Sequence, residues 1–297
     1  MSEAVHRAGH VAIVGRPNVG KSTLLNRLVG HKISITSRKP QTTRQRITGI
    51  LTRDEAQLVF VDTPGFQQQH RNALTRIMNR SVTRSLQEVD VVLWVIEALK
   101  FDERDAALQK LLPRQVPVVL AINKVDRLED KNALLPFIRE ISEKFTLHAI
   151  VPIAAEKGEQ LDELLKAIVP LLPEGPPLFG EDEITTSSER FLAAELVREK
   201  LFRLLGEELP YAAAVEIERF ETHGSLRRIY VSVVVDKDSQ KAIVIGKGGE
   251  KLKLVATQAR KDMERLFGGK VFLEIWVKVK SGWADSETTL KRMGFDV

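Results

Sequence analysis

The sequence predicts an α/β domain with a doubly wound, mostly parallel sheet, followed by a smaller α+β domain. Three observations carry that expectation. The loop Gly15-Arg16-Pro17-Asn18-Val19-Gly20-Lys21-Ser22 lies between an apolar, β-prone stretch (11–14) and leucines at helical spacing, Leu24, Leu25 and Leu28. Strand-sized apolar runs then alternate with helical patterns as far as residue 172. Beyond Pro170, Pro173, Gly175, Pro176 and Pro177 the order changes to α-β-β-α-α-β. The expected division is a nucleotide-binding domain over 1–172, a linker over 173–186, and a second domain over 187–297. A chain of 297 residues accommodates two cores comfortably.

The first loop fits G-x-x-x-x-G-K-[ST], and it joins a strand to a helix as that motif requires. Glycines let the backbone approach a phosphate closely, and successive N–H groups at a new helix's positive end then face the anion. Lys21 can reach the outer phosphates, and the Ser22 hydroxyl can ligate Mg²⁺; Thr23 follows in the first helical turn. Residues 31–46 are polar, basic and aperiodic, and loops this long in a compact domain are usually functional. A hydroxyl from this loop is expected at the metal. Thr43 is the first choice and Thr42 the alternative.

Strands are expected at 47–51 and 57–61, the second running into Asp62-Thr63-Pro64-Gly65. A carboxylate at the end of a core strand beside the phosphate loop can support Mg²⁺. Gly65 offers an N–H to the terminal phosphate and a hinge for the segment after it. Residues 66–80 have poor periodicity and many amides, and read as irregular. A helix, a strand (90–97), a helix (103–112) and a strand (116–122) come next, ending in Asn123-Lys124-Val125-Asp126. Asp126 can accept two hydrogen bonds from guanine, which adenine cannot give, while Asn123 and Lys124 can tie the loops together. A buried acceptor discriminates strongly against an analogue lacking the donor. After a helix (133–145) and a strand (149–153), the Ala155 N–H of Ala154-Ala155 is expected to meet guanine O6, and a helix (161–172) closes the unit.

In the second domain a helix is expected over 188–205, strands over 212–217 and 229–235, a helix over 250–267 and a last strand over 271–279. Its signature is Ile243-Val244-Ile245-Gly246-Lys247-Gly248-Gly249. A lone G-x-x-G is usually only a turn. Here Ile245 and its apolar neighbours precede it, and Lys251, Lys253, Arg260 and Lys261 follow, so a nucleic-acid backbone is the expected ligand. Charge agrees. Residues 181–221 hold five Lys/Arg against eleven Asp/Glu, and residues 237–280 hold eleven against five. One face of this domain is therefore suited to a polyanion. The absence of cysteine excludes disulfides, thiol catalysis and cysteine-bound metal. The six histidines show no metal-ligand spacing, the first ten residues lack a signal-peptide core, and the longest apolar runs are too short to span a bilayer.

The ordered boxes at 15–22, Gln41-Thr42-Thr43-Arg44, 62–65 and 123–126, followed by the G-x-x-G, Glu274 to Lys280 and Ser281-Gly282-Trp283, resemble the Era-type GTPases of bacteria over nearly the whole chain. The resemblance implies a P-loop GTPase domain joined to a type II KH domain. It implies a Mg²⁺-dependent switch between GTP and GDP that binds the 3′ end of small-subunit ribosomal RNA and assists small-subunit maturation. Such proteins are cytoplasmic and can associate peripherally with the inner membrane; a monomer is the expected state of this chain. Two departures stand out. Ala154 replaces the family's usual serine, and Phe66 stands where Ras-like GTPases carry a water-orienting glutamine. Slow intrinsic hydrolysis is expected, raised by a charge supplied from elsewhere. In similar GTPases an asparagine placed like Asn18 helps hold K⁺ beside the phosphates, which makes K⁺-dependent hydrolysis the leading hypothesis. Arg16 and the Arg38/Lys39 pair are alternative charge sources. The rival readings are an RNA-binding placeholder with a structural nucleotide, and a GTPase whose second domain binds protein.

Overall fold

The computed structural model describes residues 5–37, 39, 42–66, 73–206 and 209–295. The chain forms two compact units. The first comprises 1–34, 43–69 and 78–186, and the second 35–42, 70–77 and 187–297, each as far as its residues are described.

The first unit carries a six-stranded sheet of β1 (Arg7–Val14), β2 (Ile47–Thr52), β3 (Ala56–Asp62), β4 (Val91–Glu97), β5 (Val118–Asn123) and β6 (Ala149–Ile153), in the order β2-β3-β1-β4-β5-β6. Only β2 runs antiparallel to its neighbour. Every residue of β3 and of β5 is buried, the near-continuous apolar pattern of strands covered on both faces. Its helices are α1 (Lys21–Val29), α3 (Glu103–Gln109), α4 (Leu134–Lys144), α5 (Leu161–Ile168) and, from Met78 onward, α2 (Ala73–Gln87), whose first residues are assigned to the second unit. α1 starts where Gly20 takes φ 105° and stops at Gly30 with φ 78°, both left-handed positions that glycine adopts freely. α3 is opened by a reciprocal cap. The Asp102 side chain accepts from Arg104 N at 2.9 Å, and Asp105 accepts from Asp102 N at 3.2 Å.

One expectation is corrected. Residues 73–80, read as irregular, are the first half of α2. Leu74, Ile77, Met78, Val82 and Leu86 are buried at helical spacing, a stripe that the intervening polar residues obscure. The part of that expectation falling on 67–72 lies outside the described residues. Residues 173–186 are strapped along the first unit. Ala8 N donates to Pro173 O and Ile50 N to Ile184 O, and Thr185 Oγ1 donates to Thr48 O. The buried Gln57 amide accepts from Leu178 N and Phe179 N at 2.7 and 2.8 Å and donates to Phe179 O at 2.9 Å.

The second unit has the order α6 (Glu189–Leu204), β7 (Ala213–His223), β8 (Leu226–Val235), α7 (Asp238–Ile245), α8 (Glu250–Phe267), β9 (Lys270–Val279) and α9 (Glu287–Arg292). β8 is central, antiparallel to β7 and parallel to β9. Its alternate residues Ile229, Val231, Val233 and Val235 enter a core with Ala193, Val197 and Leu201 of α6 and Val255, Ala259 and Met263 of α8. The Ser281-Gly282-Trp283 segment closes this unit: Trp283 is buried, and its indole N–H donates to Ala212 O at 3.0 Å.

Candidate nucleotide site and RNA-binding loop

The phosphate loop lies at the C-terminal end of β1, flanked by the ends of β3 and β4, where ligands of open α/β sheets bind. Its glycines are demanded by close contacts. A Cβ on Gly20 would sit 2.3 Å from Asn123 Nδ2, and one on Gly65 would sit 2.8 Å from the Pro17 ring. Lys21 is buried, with Nζ donating to Gly15 O at 2.9 Å and Arg16 O at 3.1 Å. Burial and the nearby Arg16 lower its pKa to about 8, against the opposing pull of Asp62 and Asp105. A phosphate arriving here meets an ammonium already stripped of water.

Three hydroxyls converge on Asp62. Its Oδ2 accepts from Ser22 Oγ at 2.8 Å, Ser34 Oγ at 2.9 Å and Thr43 Oγ1 at 3.3 Å, and Ser22 Oγ lies 2.9 Å from Thr43 Oγ1. Thr43 rather than Thr42 stands at this cluster, because the Thr42 hydroxyl turns back to Lys39 O at 2.7 Å. Ser34 belongs to the same cluster and escaped the sequence reading; a serine in a polar loop carries no spacing signal. Asp62 is fully buried, and its second oxygen has no hydrogen-bond partner among the described residues. Burial pushes its pKa up, against the pull of Lys21 and the three hydroxyls. A buried carboxylate with one unused oxygen beside two hydroxyls suits Mg²⁺, which takes few protein carboxylates and draws its remaining oxygens from water and substrate phosphate. Among the described residues no group of three or more His, Cys, Asp or Glu offers another metal site.

The base loops are tied to the phosphate loop. Asn123 Nδ2 donates to Val19 O at 2.7 Å, and Lys124 Nζ donates to Asn18 O and Glu97 Oε2, both at 2.7 Å. Asp126 follows in the 3₁₀ turn of 125–127, near Lys157 Nζ at 3.8 Å. Val125 packs into the apolar cluster beneath. The Ala155 N–H, expected to face guanine O6, donates instead to Asn123 Oδ1 at 2.9 Å. Through this bond the side-chain amide of Asn123 locks the two loops together. Ala154 is buried, and its carbonyl accepts from the N–H groups of Lys157, Gly158 and Glu159 at 3.1, 2.9 and 3.2 Å. Backbone bonds thus support the turn, and no serine is needed there. Thr63 Oγ1 anchors on Ile13 O at 2.9 Å, and Pro64 is buried beside it.

Of the alternative charge sources, Arg16 is already committed: its guanidinium lies 3.1, 3.6 and 3.8 Å from Asp105, Glu97 and Asp102. Lys39 Nζ donates to Leu205 O and Gly206 O, and Arg38 lies outside the described residues. Phe66 packs against the cluster that contains Val82, Leu86 and Trp94. It is a partly buried apolar residue with no group to orient water.

In the second unit α7 ends at Gly246, whose φ is 75° and where a Cβ would sit 2.8 Å from the Lys251 side chain. Gly248 and Gly249 take φ 60° and 80° with nothing within 4 Å of the Cβ position. Lys247, Lys251 and Lys253 are exposed, while Ile245 leans on the core. Ile243, part of the apolar lead-in to the loop, is 48% exposed, and Leu254, which the sequence reading passed over, is 45% exposed on the other side of the loop in the chain. Each immediately precedes a buried valine, Val244 or Val255, so its position off the core face was readable. Glycine N–H groups, lysines and exposed aliphatic side chains together suit an unstacked single strand.

Comparison with known proteins agrees with both halves. Residues 10–124 match the family of 50S ribosome-binding GTPases, and residues 208–284 match the KH domain family. The chain is 58% identical to GTPase Era of Nitrosomonas eutropha and 57% identical to GTPase Era of Chromobacterium violaceum, covering 100% of each and 100% of itself. The chain belongs to the Era GTPase family. It is a GTPase with a KH RNA-binding domain. A single-residue variant of Aquifex aeolicus Era bound to GDP with AlF4⁻ superposes with a TM-score of 0.94 at 42% identity, over 98% of this chain and 100% of that one. Era in complex with MgGDPNP and nucleotides 1506–1542 of 16S ribosomal RNA superposes with a TM-score of 0.95 at 42% identity, with the same coverage.

Proposed function

We propose that this Era GTPase reads its nucleotide state out as binding of the 3′ end of small-subunit ribosomal RNA and so assists maturation of the small subunit. The observation that carries the reading is the Ser22–Thr43–Asp62 cluster with its unused carboxylate oxygen, on a chain that also presents an open G-x-x-G between lysines. The likeness to an Era that holds both MgGDPNP and a 16S fragment supports the choice of RNA.

In this reading residues 1–172 form the nucleotide domain, and residues 187–297 form a type II KH domain. Residues 15–23 cradle the phosphates, with Lys21 neutralising their oxygens. Ser22 and Thr43 hold Mg²⁺ with Asp62 behind it, the Gly65 N–H meets the γ-phosphate, and Asp126 selects guanine. Bound Mg²⁺ supplies charge neutralisation on the β- and γ-phosphates. The buried ammonium and the loop N–H groups stabilise charge that grows as water attacks in line. The protein acts in the cytoplasm as a monomer and touches the inner membrane only peripherally; among the described residues no helix is long and apolar enough to cross a membrane. Since Arg16 and Lys39 are committed elsewhere, K⁺ held near Asn18 is the favoured extra charge; equal hydrolysis rates in Na⁺ and K⁺ at matched ionic strength would remove it.

The test is binding of a short RNA of that 3′ end at fixed salt with a non-hydrolysable GTP analogue, with GDP and with neither. Tighter binding in the GTP form is expected. Equal binding in all three states favours the placeholder reading, which the packing of Phe66 keeps in play. Any coupling found must be reciprocal, with RNA tightening GTP binding by the same factor.

A further inference from the structure

The ends of two neighbouring strands bring one carboxylate to the seam between the phosphate loop and the base loop. Glu97 is the last residue of β4 and stands in register with Asn123, the last residue of β5, and Ala98 N donates to Asn123 O at 2.9 Å. Residues 91–96 are all buried, which fixes the strand and with it the start of the Glu97 side chain. The carboxylate accepts from Lys124 Nζ at 2.7 Å and from Lys100 Nζ at 2.5 Å, and its Oε2 lies 3.6 Å from Arg16 Nη2. A single anion thus stands between a cation of the phosphate loop and a cation of the base loop. The side chains of Glu97 and Lys124 are both largely buried, so solvent and salt weaken this charge-assisted bond little.

Lys124 depends on that anion more than its neighbours do. Its backbone takes φ 69°, a left-handed conformation that few residues other than glycine adopt. Asn18, whose carbonyl accepts from Lys124 Nζ at 2.7 Å, is left-handed too, with φ 66°. Backbones of this kind persist only where their surroundings hold them. Without Glu97 the ammonium keeps only the neutral Asn18 carbonyl among the described residues, and it loses the anion that separates it from Arg16. Arg16, by contrast, retains Asp105 at 3.1 Å and Asp102 at 3.8 Å. Lys100 is exposed, and an exposed ion pair contributes little. The loss of Glu97 therefore falls on Lys124.

We propose that Glu97 is a positioning residue for nucleotide retention: by holding the Lys124 ammonium across the Asn18 carbonyl, it keeps the base loop and the phosphate loop closed on one guanine nucleotide, GTP and GDP alike. The proposal rests on 123–126 as the base loop and adds to it a residue outside every GTPase box. Glu97 acts through Lys124, so its effect falls on release and on KM rather than on kcat. Where chemistry is slower than release, KM follows the dissociation constant.

The experiment is the rate at which the loaded full chain releases fluorescent GDP, or a fluorescent non-hydrolysable GTP analogue, into excess unlabelled nucleotide. The variants are Glu97→Ala, Glu97→Gln, Lys100→Ala, Lys124→Met and the pair Glu97→Ala with Lys124→Met, with kcat and KM for GTP measured alongside. Only folded, loaded molecules report, so partial instability of a variant does not mimic the effect. Glu97→Ala is expected to speed release of both nucleotides about tenfold, the scale of one lost hydrogen bond between charged groups. Glu97→Gln, which keeps an acceptor without the charge, recovers part of the loss, and KM rises in step while kcat holds. Lys100→Ala leaves release unchanged. Once Lys124→Met has removed the ammonium and kept the stem, Glu97→Ala adds nothing. Unchanged release in Glu97→Ala, an acceleration that persists in the Lys124→Met background, or a fall in kcat without faster release each overturns the role of Glu97. Asp126→Asn, whose amide donates where the carboxylate accepts, is expected to trade guanosine for xanthosine diphosphate. Failure of that exchange overturns the base-loop reading and the proposal with it; success beside an inert Glu97→Ala overturns the proposal alone.

Discussion

The nucleotide loop and the G-x-x-G loop are both glycine turns ahead of a helix, yet they are built in opposite ways. Around the first, protein crowds in: Cβ atoms on Gly15 and Gly20 would lie 2.4 Å from Val95 O and 2.3 Å from Asn123, and Lys21 is buried. Around the second there is open space at Gly248 and Gly249, and the lysines stand in solvent. The first set of glycines is required by the protein itself, which has shaped a dry mould for one small ligand. The second set is required by backbone conformation and by a ligand that approaches from outside. Charge in the mould acts at low dielectric and resists salt, whereas charge at the open loop is screened and exchanges with counterions.

That contrast breaks in the most visible way at Lys21. Lys21→Ala should weaken GTP binding about 100-fold or more, since it removes one partner of a buried charge contact, and leave RNA binding intact; nucleotide titration and RNA titration of the same sample check both halves. Gly20→Ala comes next. Its clash with Asn123, together with φ 105°, should cost about 2 kcal/mol of stability in the first unit, read as a lower thermal midpoint. Gly248→Asp should lower RNA affinity about tenfold through one charge near phosphate, while Gly248→Asn should not, because both side chains tolerate the left-handed backbone. Equal damage by Asp and Asn would mean that the loop's shape, not its charge, is what RNA reads. A finer test is salt: Lys251→Ala should reduce the slope of log affinity against log salt by about 0.7 for single-stranded RNA and leave the slope for GTP unmoved.

The smallest effect concerns pH. Burial works to raise the Glu97 pKa, but hydrogen bonds from Lys100 and Lys124 outweigh it and hold the carboxyl down at about 2. A carboxylate depressed in the folded state contributes stability above its unfolded pKa and loses it as pH falls through the folded one. The first unit should therefore lose stability between pH of about 4.5 and about 2, and Glu97→Gln should flatten that part of the curve.

Much of this was legible because the chemistry fixes spacing. Lys21, Ser22, Asp62, Asn123 and Asp126 sit in short boxes of fixed spacing, so their positions follow from the pattern. What escaped was long-range or masked by polarity. Ser34 reaches Asp62 from a loop without periodicity, and the stripe from Leu74 to Leu86 is interrupted by Arg76, Arg80 and Arg84. The competition of Asn123 for the Ala155 N–H depends on tertiary placement that no local sequence encodes. The sequence marks 188–205 only as a helix; that Glu195, Arg198, Glu199 and Lys200 are buried depends on partners distant in the chain.

The strap over residues 173–186 bears on solubility. β2 is the edge of the six-stranded sheet, and a bare edge offers unpaired N–H and C=O groups to any passing strand. Ile184 takes the Ile50 N–H and Thr185 takes the Thr48 carbonyl, so the covering is part of the chain that follows the last helix of the unit. A chain ended at Leu172 leaves those groups open to edge-to-edge association. A chain ended at Thr186 keeps its own cover, so fourteen irregular residues act as the selvedge that stops the sheet from growing.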